Sequence, residues 1–402
     1  MKKLLITALC LITLSLSAQK TRPERVISFV DVTWKTDKYE SLEKQWKKLV
    51  DKDKKDAEAW ENYYLAAMYK FKTSHYYKGE TPKGSIEEQH QIMEAMGKSI
   101  PNTYEYNKLM YRDHNLNPEY GHYLEKAFEI DPSRIDLYPT LTSYYEVIRD
   151  TAKKAAIYRK WYSTDKEYEE YKLSYGYNAL MTVEKDAIIL SHGDNQVYPV
   201  EMIQFGKNMR LDVSIISQSM FLAKAYYKNL LKSLNMPAFE ITFDDFKKDF
   251  PNNNQKAYNA FVNAKIQHII DHANGRPIYF PIQIRKEIKE HFEDNLYLVG
   301  VFYKYSETPF DNYAILKKNF EQVLYLDNLK VDLKPTLKNS TKYQLQILYL
   351  VPLSELYKHY LLSGSIGKAY NTKDLILKIA DDYGIKDKYL EYLNQLEEKL
   401  NG

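Results

Sequence analysis

The sequence from Ala187 to Gln204 reads AIILSHGDNQVYPVEMIQ, and it separates two kinds of pattern in the chain. It predicts a short buried strand that breaks into a polar loop and then enters a helix. Before it the apolar residues follow helical spacing, whereas after it strand-like and helix-like stretches alternate. In open α/β sheets, ligands usually bind beside the loop at a strand's carboxyl end. The loop Gly193-Asp194-Asn195 is therefore the first candidate site.

The N-terminus has the order of features found in a secretory signal peptide, residues 1–18. A charged start at Lys2-Lys3 is followed by an apolar run up to Leu16 and by small residues that end at Ala18. This order predicts cleavage after Ala18 and a periplasmic or exported product. The alternative is an uncleaved anchor, for which the run is shorter than the ~20 residues of a membrane span.

The single cysteine, Cys10, lies inside this apolar run and is preceded by Leu9. A lipoprotein signal requires a small residue directly before its cysteine, so we expect no lipid anchor. The mature chain is then free of cysteine, which excludes disulfides, thiol catalysis and cysteine metal sites. No later apolar stretch has the length of a transmembrane helix, and we expect none in the mature chain.

The charge of the chain is nearly balanced, with 57 basic and 54 acidic residues. Proteins that bind nucleic acid usually carry a basic excess, so nucleic acid is not expected as a partner. Tyrosine is the most abundant aromatic residue, at 38 positions. Most of these side chains are expected to pack with their hydroxyl tips in water, and a carbohydrate-stacking surface is the alternative.

Residues 19–183 follow the pattern of helical repeats. The clearest element is Ala127-Phe-Glu-Ile-Asp-Pro132, a helix end with a small residue and a terminating proline. It resembles the tetratricopeptide repeat, a helix–turn–helix unit of about 34 residues, and about three or four such hairpins are expected. Arrays of this kind bind a peptide or a neighbouring domain on their concave face. The alternative is that the array only packs against the second domain.

Residues 184–310 are predicted to form a small, mostly parallel α/β domain, and residues 311–402 a helical C-terminal segment. Strands are expected at five short stretches: Ala187–Leu190, Val213–Ile216, Glu240–Phe243, Pro277–Ile284 and Leu296–Tyr303. The predicted fold class is therefore α+β or α/β, with tetratricopeptide-like helical hairpins flanking the α/β domain.

A second resemblance covers residues 183–305. Its motifs occur in one order along the chain: Gly193-Asp194-Asn195, Arg210-x-Asp212, Arg276-Pro277-Ile278-Tyr279-Phe280 and Gly300. In this stretch the chain resembles the exported C-terminal region of multi-pass bacterial membrane proteins that are glycosyltransferase-like and similar to protein O-mannosyltransferases. Their membrane half has no counterpart in this sequence, so any glycosyl transfer that resides in that half cannot be carried over to this chain. Gln196 also stands where that family has a second acid, which removes a paired carboxylate.

The candidate ligand-binding residues are polar side chains near the predicted strand ends: His192, Asp194, Asn195, Ser217, Gln218 and Arg276. Ser217-Gln218 follows the second strand and should lie beside the Asp194 loop in a parallel sheet. Asp194 and Asn195 are suited to bind a hydroxyl or a cation, and the alternative is that they cap the helix that follows. Arg276 is suited to a carboxylate or phosphate ligand, or to an ion pair within the fold.

No catalytic or cofactor pattern accompanies these residues. Ser217 lacks the Gly-x-Ser-x-Gly elbow of serine hydrolases. His268 and His272 share a helix face, but the glutamate that follows the first histidine of a zinc protease is absent, which favours a surface or interdomain pair. Phosphate-loop and dinucleotide glycine patterns are also absent. We therefore expect no catalytic residue, no metal and no cofactor.

The sequence favours an exported, periplasmic binding or scaffold protein. An envelope protein or an exported peptide is the expected partner, and a glycan is a further candidate ligand. The alternative is an enzyme or accessory subunit of envelope glycan handling or protein glycosylation that uses the Asp194 loop. A third hypothesis is a structural remnant whose loop only stabilises the sheet.

Overall fold

The computed structural model describes residues 22–28, 32–76, 81–114, 117–165, 168, 170–331 and 344–401. The predicted signal peptide, including Cys10, lies outside these residues. The described part of the chain is mostly helical and carries a five-stranded sheet. Its contacts divide the chain into two compact units, residues 1–29 with 34–113 and residues 30–33 with 114–402.

The first unit is helical throughout its described elements: α1 (Thr36–Lys52), α2 (Ala57–Tyr76), α3 (Ile86–Ser99) and α4 (Tyr104–Asp113). In α1 the residues Tyr39, Leu42 and Trp46 recur every three or four positions, which places them on one buried face. They pack with α2 in a hydrophobic core. The buried residues of this core run from Val26 to Leu109 along the sequence. This unit therefore has a core of its own.

The second unit contains the sheet and the remaining helices. Its strands are β1 (Ile188–Ser191), β2 (Ser214–Ser217), β3 (Ile278–Pro281), β4 (Leu296–Leu298) and β5 (Phe302–Tyr305). Its helices before β3 are α5 (Gly121–Ile130), α6 (Tyr138–Ile148), α7 (Thr151–Thr164), α8 (Glu170–Thr182), α9 (Asp194–Gly206), α10 (Lys224–Ser233), α11 (Phe243–Asp249) and α12 (Asn254–Asp271). Those after β3 are α13 (Lys286–Phe292), α14 (Asn312–Lys318), α15 (Gln344–Ile347), α16 (Leu350–Leu362), α17 (Ile366–Asp382) and α18 (Lys386–Asn401).

The sheet has the strand order β2-β1-β3-β5-β4. β1 pairs in parallel with β2 and β3, and β5 pairs antiparallel with β3 and β4. The sheet is therefore mixed and not mostly parallel as expected. The difference arises because Leu296–Tyr303, predicted as one strand, is the hairpin of β4 and β5, closed by the Val299 N–H donating to the Phe302 carbonyl at 3.0 Å.

The candidate strand Glu240–Phe243 is wrong, because α11 begins at Phe243. Thr242 is its N-cap and forms a reciprocal capping box with Asp245, in which each side chain accepts a hydrogen bond from the other residue's backbone N–H. Such a box satisfies backbone donors that a helix start leaves free. The polar pair Thr242 and Asp245 therefore fixes this segment as the entry to a helix.

The motif Ala127–Pro132 contains the end of a helix, as its sequence predicts. α5 ends at Ile130, and Asp131-Pro132 follows it outside the helix. The close approach to the next helix occurs at Gly121, where an added Cβ would lie 2.1 Å from the Tyr144 ring of α6. A Cβ at the start of α5 would therefore displace the Tyr144 ring, and Ala127 at the other end of α5 is fully buried.

Helix α8 belongs to the core that surrounds the sheet. Tyr175, Ala179 and Leu180 of α8 are buried together with residues of β1. Its closest neighbour is α9, at the point where Gly176 faces the carbonyl of Pro199 inside that helix. A Cβ at Gly176 would lie 2.1 Å from the Pro199 oxygen. Only glycine lets these two helix backbones approach so closely.

Substituting Gly176→Ala is therefore expected to lower the free energy of unfolding by about 3 kcal/mol, because the new methyl group displaces a helix backbone and not a flexible side chain. Gly367→Ala in α17 is the matched control, since its added Cβ meets no atom within 4 Å among the described residues. That change should raise stability by about 0.5–1 kcal/mol, the helix preference of alanine. Hydrogen exchange of α8 and α17 peptides measures both effects. An equal change in the free energy of unfolding in the two variants would contradict the close approach of α8 and α9 at Gly176.

Candidate functional site

The side-chain amide of Gln196 holds the loop after β1. The Gln196 Oε1 accepts hydrogen bonds from the His192 backbone N–H at 3.0 Å and from the Ser191 hydroxyl at 3.4 Å. Asp194 is the first residue of α9 and is exposed, and Gly193 is the N-cap with no side-chain cap bond. Gln196 therefore performs a positioning role at the place where the resembling family has a second acid.

The neighbouring residues of this loop differ in their exposure. Asn195 and His192 are half-buried. Burial lowers the pKa of His192, and the charge of Arg285 acts in the same direction. A negative side chain at Asp194 is favoured by the helix dipole, since it lies in the first turn of α9.

The carboxyl end of β2 lies beside this loop, because Ser191 of β1 pairs with Ser217 of β2. The Ser217 side chain is buried and its oxygen lies 2.8 Å from that of Ser219. Gln218 is also buried, and its amide donates to the Leu190 carbonyl at 3.3 Å. Among the described residues, the Gln218 Oε1 has no hydrogen-bond partner. Ser217 and Gln218 thus lie at the carboxyl end of β2, next to the end of β1.

A narrow crevice brings Asp194 and Ser217 together with residues of α6 and α7. Its lining is Thr142, Ser143, Glu146, Tyr158, Asp194, Val197, Tyr198, Glu201, Ile215, Ser217 and Met220. Its volume of about 20 Å³ has room for roughly one water molecule. The crevice therefore combines three carboxylates with several hydroxyl groups in a space far smaller than a sugar ring.

Behind the crevice, a lysine and two glutamates form a buried ion network. The Lys154 Nζ donates to Glu146 at 2.6 Å and to Glu201 at 2.7 Å, and the Tyr158 hydroxyl donates to the other Glu201 oxygen at 2.7 Å. Arg149 pairs with the second oxygen of Glu146. The network links α6, α7 and α9.

Charges in this network are stabilised by one another. Burial opposes the charge of Lys154, but Glu146 and Glu201 outweigh it and raise the pKa of the lysine. Burial and the negative Glu201 raise the pKa of the Tyr158 hydroxyl well above its usual range. The network was not predicted from the sequence, although Lys154, Tyr158 and Trp161 share one helical stripe. A charged residue in an apolar stripe was the signal.

A second buried lysine, Lys265 of α12, has no acidic partner among the described residues. Its Nζ donates to the Phe221 carbonyl at 2.5 Å and lies 4.0 Å from the ring centre of Tyr227 and 4.3 Å from that of Phe261. Burial lowers the pKa of Lys265 to about 7. Its position four residues after Phe261 and four before Ile269 placed it in an apolar stripe of the sequence.

Arg276 lies at the amino ends of the strands, whereas Asp194 follows the carboxyl end of β1. Arg276 precedes β3, and its guanidinium donates to the Asp186 carbonyl at 2.7 Å and to the Ser214 hydroxyl at 2.8 Å. Both acceptors stand at the amino ends of β1 and β2. Arg276 therefore fastens the starts of three strands and does not join the crevice.

Arg210 and Gly300, from the other motifs of the resemblance over residues 183–305, also make contacts that stabilise the fold. Arg210 donates to the carbonyls of Leu180 and Val183 at 2.6 and 3.0 Å, which satisfies the end of α8. Its hydrogen bonds lower the pKa of Asp212 to about 2. A Cβ at Gly300 would lie 2.7 Å from a methyl group of Thr182, so the β4–β5 turn also approaches α8 closely.

His268 of α12 and His272, which follows the helix, both contact backbone oxygens. The His268 Nε2 lies 2.9 Å from the Pro237 carbonyl, and the His272 Nδ1 lies 2.8 Å from the His268 carbonyl. Within the ranges that the structure describes, no group of three or more metal-ligating side chains is found.

An apolar groove of about 430 Å³ lies near the C-terminus. It lies between α16, α17 and the turns that follow α14. Its apolar lining is Phe320, Leu326, Leu353, Leu356, Tyr360 and Leu375, and its polar rim is Glu321, Lys330, Asn371, Thr372, Asp374 and Lys378. We refer to this site as the C-terminal groove. A helical C-terminal segment was predicted from the sequence, but the groove was not, because its residues come from separate segments.

Comparison with known proteins relates part of this unit to a family. Residues 172–268 match the family model TMEM260-associated domain 2. The match runs from α8 to α12 and overlaps the stretch, 183–305, in which the sequence resembles multi-pass membrane proteins. It contains the Gly193-Asp194-Asn195 loop and Arg210.

Most of the chain has a weak structural likeness to a solved protein. The crystal structure of yeast Tom70 is similar with a TM-score of 0.27 and 11% identity, covering 91% of this chain and 60% of that one. The chain thus spans less than two thirds of the length of that structure. No curated protein matches the sequence. No helix of the described residues combines the length and the apolarity that crossing a membrane requires.

Proposed function

We propose that the chain is an exported binding protein that holds an apolar segment of a partner polypeptide in the C-terminal groove. The volume of the groove, about 430 Å³, carries this proposal, since ligand sites usually measure about 300–1,000 Å³. Grooves between helices accept apolar side chains of a peptide or helix. The predicted signal peptide supports a partner in the periplasm, either an envelope protein or an exported peptide.

The alternative, a role in glycan handling at the Asp194 loop, has one observation in its favour. Asp194 and Ser217 lie in one crevice with Glu146 and Glu201. However, the crevice holds about one water, and both glutamates are engaged by Lys154, Tyr158 and Arg149. These contacts favour a supporting role for the crevice and leave the C-terminal groove as the proposed binding site.

Filling the C-terminal groove tests the proposal. A fluorescein-labelled, leucine-rich synthetic peptide should bind the wild-type chain, and Thr372→Trp or Asn371→Trp should weaken binding by about tenfold, or 1.4 kcal/mol, because the new indole occupies the groove. Neither parent side chain is buried, so both variants are expected to fold. Fluorescence anisotropy measures the affinity.

Asp194→Asn is the matched control and should leave this affinity unchanged. If Asp194→Asn weakens binding while the tryptophan variants do not, the site lies at the crevice and the proposal is wrong. Circular dichroism of each variant shows that a loss of affinity is not a loss of folding.

A further inference from the structure

We infer that the C-terminal groove selects partner segments in which apolar residues are flanked by a positive charge, and this inference rests on the proposed function. Asp374 carries it. Of the charged residues on the rim, Lys330 pairs with Asp327 at 2.7 Å, Glu321 pairs with Lys368 at 2.8 Å, and Lys378 pairs with Asp382. Asp374 has no ion pair or hydrogen bond to its side chain within the described part of the chain, and it is exposed.

The unpaired carboxylate continues an exposed apolar strip along α17. Ile366, Tyr370 and Asp374 are spaced by four residues, which places them on one side of the helix. Ile366 and Tyr370 are 49% and 63% exposed. A segment that lies along this strip brings apolar side chains to the groove and a neighbouring side chain to Asp374.

The amide of Asn371 adds a second unpaired polar group at the same rim. Its side chain is exposed and has no hydrogen bond to any residue that the structure describes. A side-chain amide can both donate to and accept from a peptide backbone. Asn371 therefore suits the main chain of the bound segment, and Asp374 suits a lysine or arginine side chain.

The size of the charge effect follows from exposure. An exposed ion pair contributes about 0.2–1 kcal/mol, which corresponds to at most about fivefold in affinity. Apolar burial in the groove therefore supplies most of the affinity, and Asp374 decides between peptides of similar apolar content. Because the carboxylate is exposed, salt should reduce the preference.

Three synthetic peptides with one leucine-rich core and flanking lysines, serines or glutamates test this selection. The wild-type chain should bind the lysine peptide more tightly than the serine peptide, by up to about fivefold, and the glutamate peptide most weakly. Asp374→Asn should remove the preference, and Asp374→Lys should reverse it. Asp387→Asn, an exposed acid of α18 outside the groove, should keep it.

The outcomes separate the two proposals. Equal affinity for all three peptides, with loss of all binding in Thr372→Trp, would overturn the charge selection and leave the binding function standing. A preference for lysine that persists in Asp374→Lys would also overturn it. If none of the peptides binds the wild-type chain, the binding function fails and the inference with it.

Discussion

Lys154→Met is expected to lower the free energy of unfolding of the second unit by about 3–5 kcal/mol, because it leaves Glu146 and Glu201 buried without their counter-charge. Lys154 is only 5% exposed, so water cannot replace its ammonium group. Hydrogen exchange of peptides from α7 and α9 at increasing urea concentrations measures the change.

The adjacent Lys153→Met is the matched control. Lys153 pairs with Glu125 at 2.7 Å in an exposed position, where an ion pair contributes about 0–1 kcal/mol. A loss below about 1 kcal/mol in Lys154→Met would show that the network is not buried in solution.

Lys265→Met is expected to raise the free energy of unfolding by about 2 kcal/mol at neutral pH, since it removes a buried charge without an acidic partner. The gain is smaller than the pKa shift alone implies, because methionine loses the attraction to the rings of Tyr227 and Phe261 and the bond to the Phe221 carbonyl. Hydrogen exchange of α10 and α12 peptides measures it. Lys256→Met, at an exposed position of the same helix, should change stability by less than about 0.5 kcal/mol.

The advantage of Lys265→Met should depend on pH. Burial lowers the pKa of Lys265 to about 7, so the folded chain binds fewer protons than the unfolded chain between that pH and the ordinary lysine pKa. Wild-type stability then rises with pH across this window, relative to the variant. The advantage is complete below about pH 7 and disappears above about pH 10.4. A difference that stays constant with pH would contradict a charged, unpaired Lys265.

Much of the fold follows from apolar runs that turn residues interrupt. β1, β2 and β3 lie where short apolar stretches predict them. The β4–β5 hairpin was merged into one strand because its turn, Val299-Gly300-Val301, is itself apolar and buried. Its turn is buried by contact with α8, which sequence spacing does not reveal.

The candidate site was predictable only in part. The order of elements suggested that Ser217 should approach Asp194, and both line the same crevice. Glu146, Lys154 and Glu201 come from three helices, and their meeting depends on tertiary packing. The sequence nevertheless indicated two buried lysines. Lys154 and Lys265 each lie within the apolar face of a helix, where a lysine is either buried or interrupts that face.

The separate core of the first unit determines which spectroscopic signal reports on which part of the chain. Of the four tryptophans, Trp34, Trp46 and Trp60 lie in the first unit and Trp161 in the second. Indole emission therefore follows mainly residues 34–113, and in the second unit it comes from Trp161, whose ring stacks on Tyr158 of the Lys154 network. When cores are distinct, one denaturation midpoint does not describe the whole chain. A fluorescence melt of the chain is therefore weighted toward the first unit, and unfolding of the sheet and of the C-terminal groove enters it through one indole of four.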